Sequence, residues 1–271
     1  MTKAEKQNWS EETLDAIEKL CLFDDDFMSL VFERNKEATE YLINTILERD
    51  DLEVLEVVGQ KEYKNPYFGG RVIKVDIYAK DANGKVYDIE VQRSDAGAIP
   101  RRARFHNAMV DVRMLKENQK FKEIKDSYVI FITQNDVMGE GLPLYHVERI
   151  VEETNKKFND GSHIIYVNGA YKNDEDPIGR LVHDFGCVRS ADMYNDVLKK
   201  QVHYFKESEG GKEEMCEIIE KISDKKAEEA RINAIVENIR SIMDTLKLTA
   251  EQAMDVLKIP ATEQSVFLKK I

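Results

Sequence analysis

Apolar residues recur at helical intervals from Phe27 to Ile46, with Leu30, Val31, Tyr41 and Leu42 between them. The pattern predicts one helix through FDDDFMSLVFERNKEATEYLINTILERD. DLEVLEVVGQKEY then alternates apolar and polar positions, as a half-buried strand does. RVIKVDIYAK and KVYDIEVQR follow as a strand pair. IPRRARFHNAMVDVRMLKENQ reads as a helix with Pro100 tolerated in its first turn, and DSYVIFIT as a strand covered on both faces. HIIYVNGAY is a further strand, while PLYHVERIVEET passes from extended to helical. At the front, SEETLDAIEKL offers a helix start at Ser10, with Thr13 three residues on. From about Asp192 the pattern is helical. GGKEEMCEIIEKISDKKAEEARINAIVENIRSIMDTLKL, starting after a glycine pair, carries an apolar stripe from Met215 to Met243 that includes Ile218, Ile219, Ile222 and Ile239. TAEQAMDVLKIPATEQSVFLKKI adds two short helices broken at Pro260, the first opened by a Thr249–Gln252 capping box.

The strand pair VDIYAKDANGKVYDIEVQ, residues 75–92, raises a chemical question. Val75, Ile77 and Ala79 share one face of the first strand, Tyr87, Ile89 and Val91 one face of the second. A slip of one residue would turn a whole apolar row the wrong way, so odd positions must pair with odd. An Asn83-Gly84 two-residue turn breaks that parity. A three-residue loop, Ala82-Asn83-Gly84, keeps it, pairs Asp81 with Lys85, and places Gly where a left-handed backbone is usual. Asp76 then stands opposite Glu90, with Asp88 and Gln92 on the same face. Facing carboxylates repel. Either the face is solvated and Lys74 relieves the charge, or a hard divalent cation lies between the acids, with Gln92 holding a water or a phosphate oxygen.

Composition narrows the classes. Of 271 residues, 42% are hydrophobic and 34% charged, as in a globular protein with a heavily solvated surface. No apolar run reaches the roughly 18 residues of a membrane span. The polar, acidic start is unlike a signal or transit peptide. Cys21, Cys187 and Cys216 follow no metal-ligand spacing and read as reduced thiols of a cytoplasmic protein. A net charge of −12 argues against broad adhesion to nucleic acid, though not against a local basic cleft.

The order of elements, with DDDFMSLVF, VDIYAKDANGKVYDIEVQRSDAG, PRRARFHNAMVD, YVIFIT, YHVERIVEET, DGSHIIYVNGAY and YFKESEGGKEEMCEIIE in place, resembles the PD-(D/E)XK phosphodiesterase superfamily. Its closer likeness is to the Rpn branch, the recombination-promoting nucleases also labelled transposases. The resemblance implies a mixed α/β, restriction-endonuclease-like core, a mixed β-sheet flanked by helices, over residues 1–205, and a helical C-terminal arm over 206–271. It makes Asp76 and Glu90 metal ligands and the Val91 carbonyl a third. Gln92 stands where the superfamily has lysine, which removes a cation and leaves more of the work to Mg²⁺, for which Mn²⁺ would substitute. A further acid is expected from the first helix, with Glu40, Glu37 and Asp26 as candidates. Asp26 has the alternative of capping the helix after it. Lys74, Arg101, Arg102 and Arg104 either grip DNA phosphate or pair with surface acids. Strand alternation turns Arg93 away from Gln92. His146 and His163 read as structural, and His106 as a packing residue before a phosphate contact. The implied activity is metal-dependent DNA endonuclease, with a homodimer through the arm. The alternative is a catalytically degenerate nuclease fold serving as a DNA-binding or assembly module.

Overall fold

The computed structural model describes residues 11–65, 69–268 and 270–271; Ser10 and the Ile222 side chain, both named above, lie outside what is described. The described chain divides into two compact units, residues 11–212 and 213–271. Among the described residues no helix is long and apolar enough to cross a membrane.

The larger unit opens with α1 (Glu11–Lys19), α2 (Asp25–Phe32) and α3 (Lys36–Ile46). The single helix expected across this stretch is therefore two. Arg34 adopts a φ of 55°, and Asn35 caps α3 by accepting from the Ala38 N–H at 3.1 Å. A left-handed residue ends the first helix, and an Asx cap begins the next. Asp26 lies inside the first turn of α2 and not at its cap, which Asp24 occupies.

Strands β1 (Val54–Tyr63), β2 (Ile73–Asp81) and β3 (Val86–Gln92) lead into α4 (Pro100–Asp111). Then come β4 (Ser127–Thr133), β5 (Leu144–Val147), β6 (Ile150–Val151), β7 (Lys156–Lys157) and β8 (Ser162–Asn168). Six of these strands form one mixed sheet in the order β1-β2-β3-β4-β8-β5; β6 and β7 make a separate ribbon. The β1–β2–β3 meander is antiparallel, β3–β4–β8 is parallel, and β5 closes the edge antiparallel. PLYHVERIVEET does not become helical. Its first half pairs with β8, as in Val147 opposite Ile164, and Ile150 and Val151 pair with Lys157 and Lys156. These pairings satisfy the backbone that a helix would otherwise have to satisfy.

The hairpin takes the odd-with-odd register, Ile77 opposite Ile89 and Ala79 opposite Tyr87. Its loop is closed by the Asp81 N–H donating to the Lys85 carbonyl at 3.1 Å, and Gly84 takes a φ of 82°. Asp81 Oδ1 accepts from the Asn83 and Lys85 N–H groups, both at 2.9 Å. The solvated-face reading fails. Tyr78 and Val86, from the polar row's own face, share a core cluster with Met109 and Val110 of α4. α4 covers that face, as is usual at the centre of a sheet with parallel crossovers. α2 lies against β1, β2 and β3, and the Ser29 hydroxyl donates to the Asp76 carbonyl at 3.2 Å.

Helices α5 (Pro177–Gly186) and α6 (Asp196–Glu207) complete the unit. The buried Lys206 ammonium donates to the carbonyls of Glu18 at 2.7 Å, Leu20 at 2.9 Å and Val188. It ties α6 to the end of α1. Lys206→Met strips those carbonyls of their donor and is expected to cost about 3 kcal/mol, read as a lower urea midpoint with an unchanged slope.

The smaller unit is helical. Its first helix, α7 (Glu209–Leu246), starts within the last residues of the larger unit, before the glycine pair and not after it. A Cβ at Gly211 would collide with the Tyr204 carbonyl, so this close approach requires glycine. α8 (Ala250–Val256) opens with the expected capping box, Thr249 N–H to Gln252 Oε1 at 3.0 Å and Gln252 N–H to Thr249 Oγ1 at 3.3 Å. α9 (Ala261–Leu268) follows. Val236 and Ile239 of the apolar stripe are buried with Ala253, Met254 and Phe267 of α8 and α9.

Candidate active site

The pairing of β1 with β2 runs to Tyr63 opposite Ile73, and that of β3 with β4 to Gln92 opposite Thr133, yet β2 and β3 pair only as far as Ile77 opposite Ile89. The two strands part there. Backbone donors at the fork have lost their ladder partners, and side chains take over. The Val91 N–H donates to Asp76 Oδ2 at 3.0 Å, and the Asp76 N–H to Glu90 Oε1 at 3.3 Å. The facing carboxylates thus stitch the fork and are held by it.

Asp76 is 8% exposed, and Asp88 and Glu90 are 0% exposed. Burial raises all three pKa values, with neighbouring carboxylates adding to it. Asp76 rises to about 6, Asp88 to about 8, and Glu90 lies well above its ordinary value. The cation that answers them is Arg102 of α4. It donates to Glu90 Oε2 at 2.6 Å, Gln92 Oε1 at 3.2 Å and the Gly97 carbonyl at 3.0 Å. Its Nε reaches His106 Nε2 at 3.4 Å, and His106 Nδ1 lies 3.0 Å from Asp88 Oδ2. Burial lowers the His106 pKa, which favours the neutral ring at pH 7. Accepting from Arg102 at Nε2, it carries its proton on Nδ1 and donates to Asp88. Among the described residues Asp88 Oδ1 finds no hydrogen bond.

A basic cleft adjoins this network. Arg71, Lys74, Arg101 and Arg102 line a cavity of about 540 Å³ together with Val72, Ile73, Ile99, Phe105 and His106. Among the described residues no acid contributes to that wall. Among the described residues, Arg71, Lys74 and Arg101 form no ion pair.

The family model for the PD-(D/E)XK nuclease family transposase matches residues 29–175, from the middle of α2 to just before α5. The chain belongs to this family. No curated protein and no solved structure matches it. The six-stranded mixed sheet with flanking helices is consistent with the restriction-endonuclease-like fold of PD-(D/E)XK nucleases.

Within this PD-(D/E)XK frame the structure brings Asp76, Glu90, Val91 and Gln92 together at the fork, with Arg102 on them and Lys74 and Arg101 in the adjoining cleft. Arg104 is exposed on α4 and is not part of the cleft wall. The helix acids are spread out. Glu40 accepts from the Val54 N–H at 2.8 Å at the start of β1, Asp26 accepts from Gln60 Nε2 at 2.9 Å, and Glu37 is exposed in the first turn of α3. Asp25, not weighed from sequence, is the helix acid whose charge bears on Asp76. Arg93 points to Asp24 Oδ2 at 2.8 Å and to Cys21 Sγ at 3.3 Å, away from Gln92. His163 stacks on Tyr128 and meets Glu148, while His146 is exposed on β5.

Sequence reasoning also passed over Asp88, His106 and Arg71 as site residues. Parity already placed Asp88 on the Glu90 face, and the four-residue spacing of Arg102 and His106 puts both on one face of α4. Arg71 precedes its strand and carries no periodic signal. A second cluster, His183, Asp184 and Cys187, lies at the end of α5. Both Asp184 oxygens there accept backbone N–H groups, from Tyr194 at 2.7 Å and Asn195 at 2.9 Å, which is a structural duty.

Proposed function

We propose that the chain is a Mg²⁺-dependent DNA endonuclease of the recombination-promoting, Rpn type that hydrolyses phosphodiester bonds. The observation that carries this reading is the strand fork, where buried carboxylates border a cleft whose Arg71, Lys74 and Arg101 form no ion pair among the described residues. Three desolvated acids with one guanidinium between them form an oxygen-rich donor set suited to a hard divalent ion. Asp76, Glu90 and the Val91 carbonyl would hold it. His106 is unsuited as a ligand, because Asp88 and Arg102 already engage its two nitrogens. A bound ion would acidify a water and polarise a phosphoryl oxygen, with Mn²⁺ able to replace Mg²⁺.

The chain's own residues divide the remaining work. Gln92 orients the attacking water. Arg102 supplies, from α4, the positive charge that the superfamily's lysine would bring at position 92. Asp88 and His106 hold Arg102 in place. Lys74, Arg101 and Arg71 bind phosphate. In the same reading the helical arm pairs two copies, since a double-strand cut needs two sites. Half-buried Ile218 and Ile219 leave α7 some apolar surface for a second chain.

The test is a titration of Mg²⁺ and Mn²⁺ against supercoiled plasmid. Nicking that rises with either ion and stops with EDTA is expected. Nicking indifferent to chelation overturns the proposal.

A further inference from the structure

The cations of the cleft account for phosphate, but the rest of its wall, His106 apart, is apolar. Val72 is 46% exposed and Ile99 48% exposed, and Ile73 and Phe105 continue the same lining. A stacked duplex turns charge and sugar outward and has no flat apolar group to offer such a wall. An unstacked nucleobase has one, and its π-face can lie on aliphatic or aromatic side chains whatever its sequence. The volume, about 540 Å³, falls in the range of small-molecule sites. Charge complementarity singles out a polyanion, because a wall with four cations and, among the described residues, no acid belongs to a chain of net charge −12.

We infer that the cleft is a nucleobase subsite beside the strand fork. One unstacked base lies against Val72, Ile99 and Phe105, while Arg71, Lys74 and Arg101 hold the flanking phosphates. Single-stranded or frayed DNA is then preferred over intact duplex. The inference rests on the nuclease reading for its choice of DNA as the polyanion. Arg102 belongs to both places, lining the cleft and donating to Glu90 at 2.6 Å, so a base held there brings its phosphate to the carboxylates.

The test is fluorescence anisotropy in EDTA with the full chain and labelled DNA of about 16 nucleotides. Three probes are used: a single strand, its blunt duplex, and the same strand carrying abasic sites. The single strand is expected to bind about tenfold tighter than the duplex, and the abasic strand to lose that advantage. Val72→Ser and Ile99→Ser, both at exposed positions, are expected to bring the ratio of single-strand to duplex affinity close to one while thermal midpoints hold. Equal affinity for strand and duplex, or an advantage that survives abasic substitution, overturns the subsite. Plasmid cleavage separates the two ideas. Metal-dependent nicking without a strand preference leaves the nuclease reading standing and sinks the subsite. A base-dependent preference without nicking does the reverse, and no DNA binding at all overturns both.

Discussion

Asp76→Asn lowers divalent-dependent DNA cleavage at least about a hundredfold and raises the thermal midpoint of the metal-free protein. Outer partners of metal ligands already cost 10–100-fold when removed, and Asp76 would itself be a ligand. Stability moves the other way for a separate reason. Asn keeps an oxygen for the Val91 N–H but removes a charge whose pKa burial has raised from 3.8 to about 6. Above that pH the relief is on the order of 3 kcal/mol. Glu90→Gln loses as much activity and gains less stability, because Arg102 gives up its 2.6 Å carboxylate partner and must turn to water. Nicking assays beside melts in EDTA read both quantities. Equal nicking by wild type and Asp76→Asn would assign the activity to a contaminant.

In EDTA, the wild-type thermal midpoint falls as pH rises from about 4 through about 8. Asp76 and Asp88 titrate near their ordinary 3.8 when unfolded but at about 6 and about 8 when folded, and Glu90 is displaced the same way. The folded state therefore holds protons that the unfolded state has released. That stabilisation is whole below the unfolded values and is lost as pH rises through the folded ones. Asp88→Asn flattens the upper part of the decline. Mg²⁺ opposes it, because a metal binds the deprotonated acids and releases their protons. A decline no steeper in the wild type than in Asp88→Asn would show that the acids do not share a desolvated site.

Local rules reached the hairpin and stopped at what covers it. Parity and the Asn83-Gly84 sequence were enough to set Ile77 against Ile89 and Asp76 and Glu90 on one face. Burial of that face depends on α4, which arrives after the hairpin and packs by tertiary contact, so an alternating strand looked solvated. The break at Arg34 turns on one backbone angle that no periodicity encodes. Arg101, Arg102 and Arg104 look alike in sequence. Only Arg102 shares a helix face with His106, and the meaning of that face appears once Asp88 and Glu90 lie beneath it. β5 falls in the part of PLYHVERIVEET that reads as extended; β6 departs from the helical reading because pairing with β7 overrides it.

The mixed sheet also has a kinetic side. The β2–β3 hairpin closes over a three-residue loop, whereas the parallel ladders wait on crossovers from Gln92 to Ser127 and from Thr133 to Ser162. Loop-closure entropy favours the short connection, and non-local parallel pairing is slow. The two facing carboxylates are thus brought together by the most local part of the sheet, before α4 is in place to seal them from water. Their repulsion is met while the solvent still screens it, and its full cost arrives only with the last layer of packing.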